Sequence, residues 1–357
     1  MTMPLVARPV AINVADLKDS RDRARIEAFV RRQPHATPFH LPGWSAGVAR
    51  ACGQRSHYLV AEQADGELAG ILPLTEVRSA LFGRALVSAG FAVDGGILTS
   101  RDDVATALAE AGWALATKLG CPSLEMRGGP APGEGWLIDA HTYLGFARDL
   151  AGDDEAELLA VPRKQRAEVR KALAADFQVT IGNKPADLAL HYAVFAQSVR
   201  NLGTPVFPRR LFHEIAREFG EDADVVTISH RGRPEASVFN LYMNGIVHPF
   251  WGGGTKAARM LKANDRVYYE IMRHARGRGM TRYDFGRSKA GTGVAAYKKS
   301  WGFDPAPLYY ARRVAAGEAP REINPLSPRY RLQVALWKKL PLVVANFLGP
   351  VIAKGLG

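Results

Sequence analysis

A mixed α/β fold in two halves of similar element order is what the sequence predicts, and three observations predict it. Hairpins punctuated by glycine occur in both halves, and the succession helix, glycine, strand, glycine-bearing end occurs at 104–129 and again at 257–286. The third is length: 357 residues are comfortable for two cores and long for one. Hairpins ahead of each helix give a mixed sheet, not the strict strand–helix alternation of a doubly wound parallel fold.

The elements follow in order. Tyr58 to Glu62 is a strand, Asp65-Gly66 a turn, and Leu68 to Leu74 the returning strand. Ala85 to Ala92 and Gly96 to Leu98 continue as strands. A helix runs from about Val104 to Leu119 until Gly120 and Pro122 stop it, and Ser123 to Arg127 is a strand ending at Gly128-Gly129. The polar loop Ala151-Gly152-Asp153-Asp154 precedes an amphipathic stretch at 155–175 and marks a boundary, giving domains at 1–152 and 153–315 and a tail at 316–357. In the second half, Val194 to Leu202 is a helix stopped by Gly203-Thr204-Pro205. Val225 to Ser229 and Ala236 to Met243 flank a turn at Arg231-Gly232, and Asn244-Gly245 turns the chain into Ile246 to Trp251. A helix ending near Arg276 leads to a strand at 281–285. Pro249 cannot donate a ladder bond, so its strand is splayed, bulged or at an edge.

Composition is that of a soluble globular protein, 47% hydrophobic and 23% charged. Cys52 and Cys121 stand far apart without metal-ligand spacing, which argues against a zinc site or a disulfide framework. His213-Glu214 is half of a zinc motif lacking its second histidine. Residues 1–8 carry no charged region followed by an apolar stretch, so no signal peptide is expected and a cytosolic address is the default. The net charge of +12 favours phosphates, nucleic acid or an anionic membrane face. Arg163, Lys164, Arg166, Arg170 and Lys171 form one basic cluster, and Arg273, Arg276, Arg278 and Arg282 another.

The densest chemistry lies at 284–303. Tyr283 and Phe285 alternate with Arg282 and Asp284, as in a half-buried strand. Gly286 ends it, Arg287, Ser288 and Lys289 fall in a loop, and Thr292 caps a short helix carrying Lys298 and Lys299. Strand ends that deliver polar groups into glycine-bearing loops are where α/β proteins place chemistry. Asp-Phe-Gly-Arg-Ser-Lys at 284–289, Gly-Thr-Gly at 291–293 and Lys-Lys-Ser-Trp-Gly-Phe at 298–303 resemble the Fem-type aminoacyltransferases, in particular the FemAB-related group associated with exosortase and PEP-CTERM export. Val-Pro-Arg-Lys-Gln-Arg at 161–166 and Leu-Gly-Thr-Pro at 202–205 support the resemblance, which spans most of 150–310. It implies two tandem GNAT-like acyltransferase domains. It also implies amide formation on an amine of a cell-envelope, exopolysaccharide or peptidoglycan precursor, with aminoacyl-tRNA as donor and no bound cofactor or metal.

Acyl transfer to an amine requires a proton acceptor, donors for the oxyanion and a grip on both substrates. Asp284, Lys289 and His248 are the catalytic candidates, although ion-pairing of Asp284 with Arg287 or Arg282 is an equal alternative. Arg287, Ser288, Lys298, Trp301 and Trp251 are candidates for substrate binding, although Trp301, like Phe303, reads first as core and only alternatively as a wall of the acceptor pocket. The family's acceptor channel adds Asn201, Thr204 and Arg200. A phosphate receptor is expected where Gly253, Gly254, Lys256, Arg259 and Lys262 precede Asn264, the anticipated N-cap of a helix from Asp265. The usual acetyl-CoA loop pattern (Gln or Arg, two residues, Gly, any residue, Gly or Ala) is missing there. That disfavours an acyl-CoA-dependent N-acyltransferase, kept as the alternative beside a non-catalytic tRNA- or polysaccharide-binding protein. In such a domain the sheet opens between two strands, which would place 246–251 beside 281–286 and bring His248 or Trp251 near Asp284. Trp337, Lys338 and Lys339 beside the apolar run at 342–353 suit either peripheral contact with an anionic membrane or packing on the second domain.

Overall fold

The computed structural model describes residues 9–318 and 331–357. The expectations placed on 1–8, and the part of the tail at 319–330, lie outside the described residues. The chain forms two compact units.

The first unit begins with β1 (Val10–Ala15), α1 (Ser20–Arg32) and α2 (Pro42–Cys52), followed by β2 (Arg55–Gln63), β3 (Leu68–Ser79) and β4 (Gly83–Ser88). It continues through α3 (Asp102–Lys118), β5 (Ser123–Arg127) and β6 (Leu137–Asp139). Leu72, Leu74, Leu86 and Leu124 alternate inward from the sheet and meet Val104, Leu108 and Ala109 of α3, forming one apolar layer. β4 stops at Ser88, short of the expected Ala92, because Ala89 and Phe91 take left-handed φ values of 39° and 67°. The strand expected at 96–98 reduces to a single bridge, Ile71↔Leu98.

The second unit begins with β7 (Tyr143–Asp149), α4 (Asp154–Ala160) and α5 (Arg163–Ala174). The expected amphipathic stretch is two helices because Pro162 has no N–H to continue the first. β8 (Gln178–Gly182), α6 (Pro185–Leu202), α7 (Arg209–Phe219), β9 (Ala223–His230), β10 (Arg233–Met243) and β11 (Ile246–Gly254) follow. Asn244 and Gly245 both adopt positive φ, 49° and 75°, the two-residue turn whose twist suits a hairpin. Then come α8 (Lys256–Leu261), α9 (Ala263–Gly277), β12 (Arg282–Asp284), β13 (Ser288–Lys289), α10 (Gly293–Ser300) and β14 (Pro305–Pro307). β8 to β12 are joined in the order β8-β9-β10-β11-β12, and β12, β13 and β14 all pair with β7. Tyr283, Phe285, Trp301, Phe303 and Phe146 are buried in its core.

β15 (Tyr310–Val314) returns to the first unit, whose sheet runs β1-β2-β3-β4-β5-β15-β6. The last helices, α11 (Arg331–Lys339) and α12 (Leu342–Ala353), belong to the second unit, and 354–357 to the first. The domain limits therefore differ from those expected. The first unit holds 9–140, 309–318 and 354–357 of the described residues, and the second 141–308 and 331–353. The polar loop at 151–154 is no boundary, because β7 before it is held by β12 (Arg282↔Asp149, Tyr283↔Arg148, Asp284↔Ala147). β15 is bound in turn to β5 over five residue pairs, Tyr310↔Arg127 to Val314↔Ser123.

Candidate active site

β11 and β12 are parallel neighbours for two residue pairs only, Ile246↔Arg282 and Val247↔Tyr283. Beyond Val247, Pro249 has no N–H, and the register of β11 against β10 shifts between Phe239↔Trp251 and Asn240↔Pro249, leaving Phe250 as a bulge residue. The first residues past the last pair are His248 and Asp284. His248 Nδ1 lies 3.3 Å from Asp284 Oδ2. A carboxylate only accepts, so Nδ1 carries the proton; Nε2 is buried without a hydrogen-bond partner.

Burial opposes the charge on Asp284. The opposing contacts win: His248, the Gly286 N–H at 2.8 Å and the nearby Lys298 ammonium together hold its carboxyl below the usual range. Asp284 is thus ionised at neutral pH, with its side chain 35% exposed while that of His248 is 7% exposed. The carboxylate is the accessible half of the dyad and the imidazole stands behind it. Expected pairing of Asp284 with Arg282 or Arg287 does not occur. Arg282 donates to Asp149 at 2.8 Å, and the Arg287 guanidinium lies 4.4 Å over the Tyr143 ring.

The segment after Asp284 is a bulge. Asp284 faces Ala147 but Ser288 faces Leu144, so one extra residue is accommodated across Phe285–Arg287. Lys298 holds that bulge from α10. Its Nζ donates to the carbonyls of Gly286 and Arg287, both at 3.0 Å, and sits 5.3 Å from the Phe285 ring. Thr292 caps α10 as expected, accepting from the Ala295 N–H. What docks this helix is not signalled in its own residues. Tyr297 donates to Asp265 at 2.9 Å, Gln165 Nε2 donates to the same oxygen at 2.7 Å, and Ser300 donates to Gln165 at 3.3 Å. Gln165 belongs to the 161–166 motif, so that motif positions α10 through its one buried polar residue.

Burial lowers the Lys298 pKa to about 8, with Arg287 adding to the effect and Asp284 opposing it. Between about 8 and the unperturbed 10.5 the unfolded chain binds this proton and the folded chain does not, so the contribution of Lys298 to stability rises with pH there. Lys298→Met should remove that rise. It should also destabilise the second unit by about 1–3 kcal/mol through the two lost charge-assisted bonds. Denaturant unfolding at pH 7 and pH 9.5 checks both; identical pH dependence in the two proteins would exclude Lys298 as the cause.

Other expected site residues are placed elsewhere. Trp301 is fully buried in the core, so it walls no acceptor pocket. Trp251 is 5% exposed and packs on Phe212 and Phe239, with ring centroids at 4.8 and 5.4 Å. His248, not Trp251, is what the splayed strand brings to Asp284. Ser288 is buried with its hydroxyl unpartnered, and Lys289 pairs through its backbone with Tyr143. Asn201 and Thr204 lie at the end of α6, where Arg200 donates to the Lys338 carbonyl of α11.

The phosphate receptor is not built as anticipated. The cap of α9 is Lys262 in a left-handed conformation, Asn264 lies inside the first turn, and α8 ends at the same Lys262. Gly253 and Gly254 serve close packing. A Cβ at 253 would stand 2.5 Å from Ser198 Cβ on α6, and one at 254 would stand 2.4 Å from Asn264 Oδ1. Lys262 pairs with Glu168 at 2.5 Å, leaving Lys256 and Arg259 exposed on α8. The second basic cluster is likewise neutralised: Arg273 and Arg276 bind Asp154, Arg278 binds Asp224, and Arg282 binds Asp149. On α5, Lys171 binds Glu168 at 2.8 Å, whereas Arg163, Lys164 and Arg170 are exposed without an ion pair among the described residues.

Residues 162–299 match the Acetyltransferase (GNAT) domain family. No curated protein matches the chain. The fold resembles the solved structure of FemX, with a TM-score of 0.65 at 13% identity over 84% of this chain and 96% of that one. It also resembles a tandem GNAT protein from the clavulanic acid biosynthesis pathway (TM-score 0.56, 15% identity, 87% and 100% covered). A third likeness is to the C-terminal domain of a putative lysylphosphatidylglycerol synthetase from Agrobacterium fabrum (TM-score 0.57, 14% identity, 83% and 93% covered). The architecture thus resembles that of a tandem GNAT protein, with a mixed sheet in each unit, and the stretch that matches an acetyltransferase domain lies in the second unit.

Proposed function

We infer that the chain transfers an aminoacyl group from an anionic carrier to an amine of a cell-envelope or exopolysaccharide precursor, with aminoacyl-tRNA as the carrier. The observation that carries this reading is the His248–Asp284 dyad at the point where β11 and β12 part. A parted parallel pair exposes backbone groups that can align a carbonyl, and an ionised carboxylate beside them can hold an amine. In the reaction the amine nitrogen bonds to the carbonyl carbon and the ester C–O bond to the carrier breaks. The exposed Asp284 carboxylate, steadied by the His248 Nδ1–H, accepts the proton shed by nitrogen and passes it to the carrier oxygen, which leaves as the hydroxyl. The exposed cations of α5 and α8 provide the attraction for a polyanion. Likeness to FemX and to a lysylphosphatidylglycerol synthetase supports an aminoacyl cargo over a simple acetyl group.

A second reading, acyl-CoA as donor, is favoured by the match to an acetyltransferase domain. Binding separates the two. Charged tRNA should bind with an affinity that falls steeply with salt, and Arg163→Glu with Lys164→Glu should weaken it. Coenzyme A should leave the thermal midpoint unchanged. A midpoint raised by coenzyme A, with no tRNA binding, would establish the second reading, and a response to neither would remove both.

A further inference from the structure

α12 has an unusual surface for a helix on a water-soluble protein. From Leu342 to Ala353 it contains no charged residue. One face, Ala345, Gly349 and Ala353, is buried, and Gly349 comes so near the chain that a Cβ there would touch Val206 at 3.0 Å. The opposite row, Val343, Phe347 and Val351, is 81%, 79% and 72% exposed. Leu332 and Leu336 of α11 add a second exposed apolar pair, 71% and 59%. Ordinary amphipathic helices turn such rows inward, and an apolar stripe of this kind facing outward marks an interaction surface.

The charges nearby indicate the partner. Residues 331–353 contain Arg331, Lys338 and Lys339 and no Asp or Glu, and all three cations are exposed. Lys338 and Lys339, with Trp337, stand at the end of α11 beside the apolar run. No helix among the described residues is long and apolar enough to cross a membrane. A short apolar row with cations at its end suits an interfacial position, with side chains inserted at the headgroup boundary and cations on lipid phosphates. We propose that α11 and α12 dock this protein on the surface of a bilayer containing anionic lipid. The geometry of the dyad plays no part in this inference, so the two stand or fall separately.

The test uses the full chain and vesicles of phosphatidylcholine with or without phosphatidylglycerol. Sedimentation with the anionic vesicles should exceed that with neutral ones by on the order of tenfold or more, and should fall as salt is added. Val343→Glu with Phe347→Glu should reduce sedimentation to background without lowering the thermal midpoint, because both side chains are exposed in the fold. Lys338→Ala with Lys339→Ala should narrow the difference between the two vesicle types. Absence of sedimentation, equal sedimentation of the glutamate variant, or a concentration-dependent dimer that this variant abolishes would overturn the proposal; the last would assign the face to a second copy of the chain.

Discussion

Asp284→Asn should lower turnover by about 10²–10⁴-fold while the protein remains folded. The substitution keeps the shape of the side chain and removes the charge that faces the opening and steadies His248 at 3.3 Å. An amide could also turn its NH2 toward Nδ1, which reverses the proton's position on the imidazole and leaves no carboxylate oxygen to accept the amine's proton. His248→Asn should cost about as much. The double variant should be little worse than either single one, because two groups acting as a unit are not additive. The acid behaviour has a definite sign. The carboxyl pKa is depressed below 3.8, so its stabilising contribution is complete above the unfolded carboxylate range and is lost as pH falls through the lower folded value. Asp284→Asn should therefore lose less stability than the parent on acidification. Single-turnover rates with charged tRNA, and unfolding from pH 5 downward, check the two halves. Retention of more than about a tenth of the parent rate would show that the dyad is not where the proton goes.

Local chemistry made much of this second unit legible. Asn244-Gly245 declared its hairpin because few residue pairs tolerate two consecutive positive φ values. Thr292 and the short helix behind it followed from capping, and Pro249 announced that its strand would leave the ladder. Together those signals brought His248 to Asp284, a contact no single window contained.

What the sequence concealed depended on partners far along the chain. Arg273, Arg276, Arg278 and Arg282 look like a basic face until Asp154, Asp224 and Asp149 are folded against them. Three glycines before cationic residues suggest an anion loop. Gly253 and Gly254 are instead what α6 and the start of α9 need in order to approach β11 closely. Trp251, a candidate for substrate binding, has too much apolar area to stay outside the core, and Trp301 is buried as its reading as core expects. The exchange of β7 and β15 between units was invisible for a related reason. A strand's pattern shows which face is buried but not which neighbour it pairs with.

That exchange leads to the second large effect. Phe146→Ala should destabilise the second unit by about 3–5 kcal/mol and leave the first nearly untouched. Phe146 lies ahead of the loop that sequence alone would choose as the boundary, yet it is 1% exposed in the core that holds Tyr283, Phe285, Trp301 and Phe303. Its carbonyl accepts from the Phe285 N–H at 2.7 Å, and the Lys298 ammonium stands 5.6 Å from its ring centroid. Removing the ring opens a cavity beneath the bulge that carries the site, so activity should be lost at denaturant concentrations where the first unit is still intact. Native-state hydrogen exchange makes the distinction directly, since protection reports the stability of each cooperative unit. Amides of β9, β10 and β11 should exchange faster in the variant, while those of β2 and β3 keep their protection. The reverse pattern, with β2 and β3 exposed first, would mean that β7 serves the first unit and does not carry the candidate site's bulge.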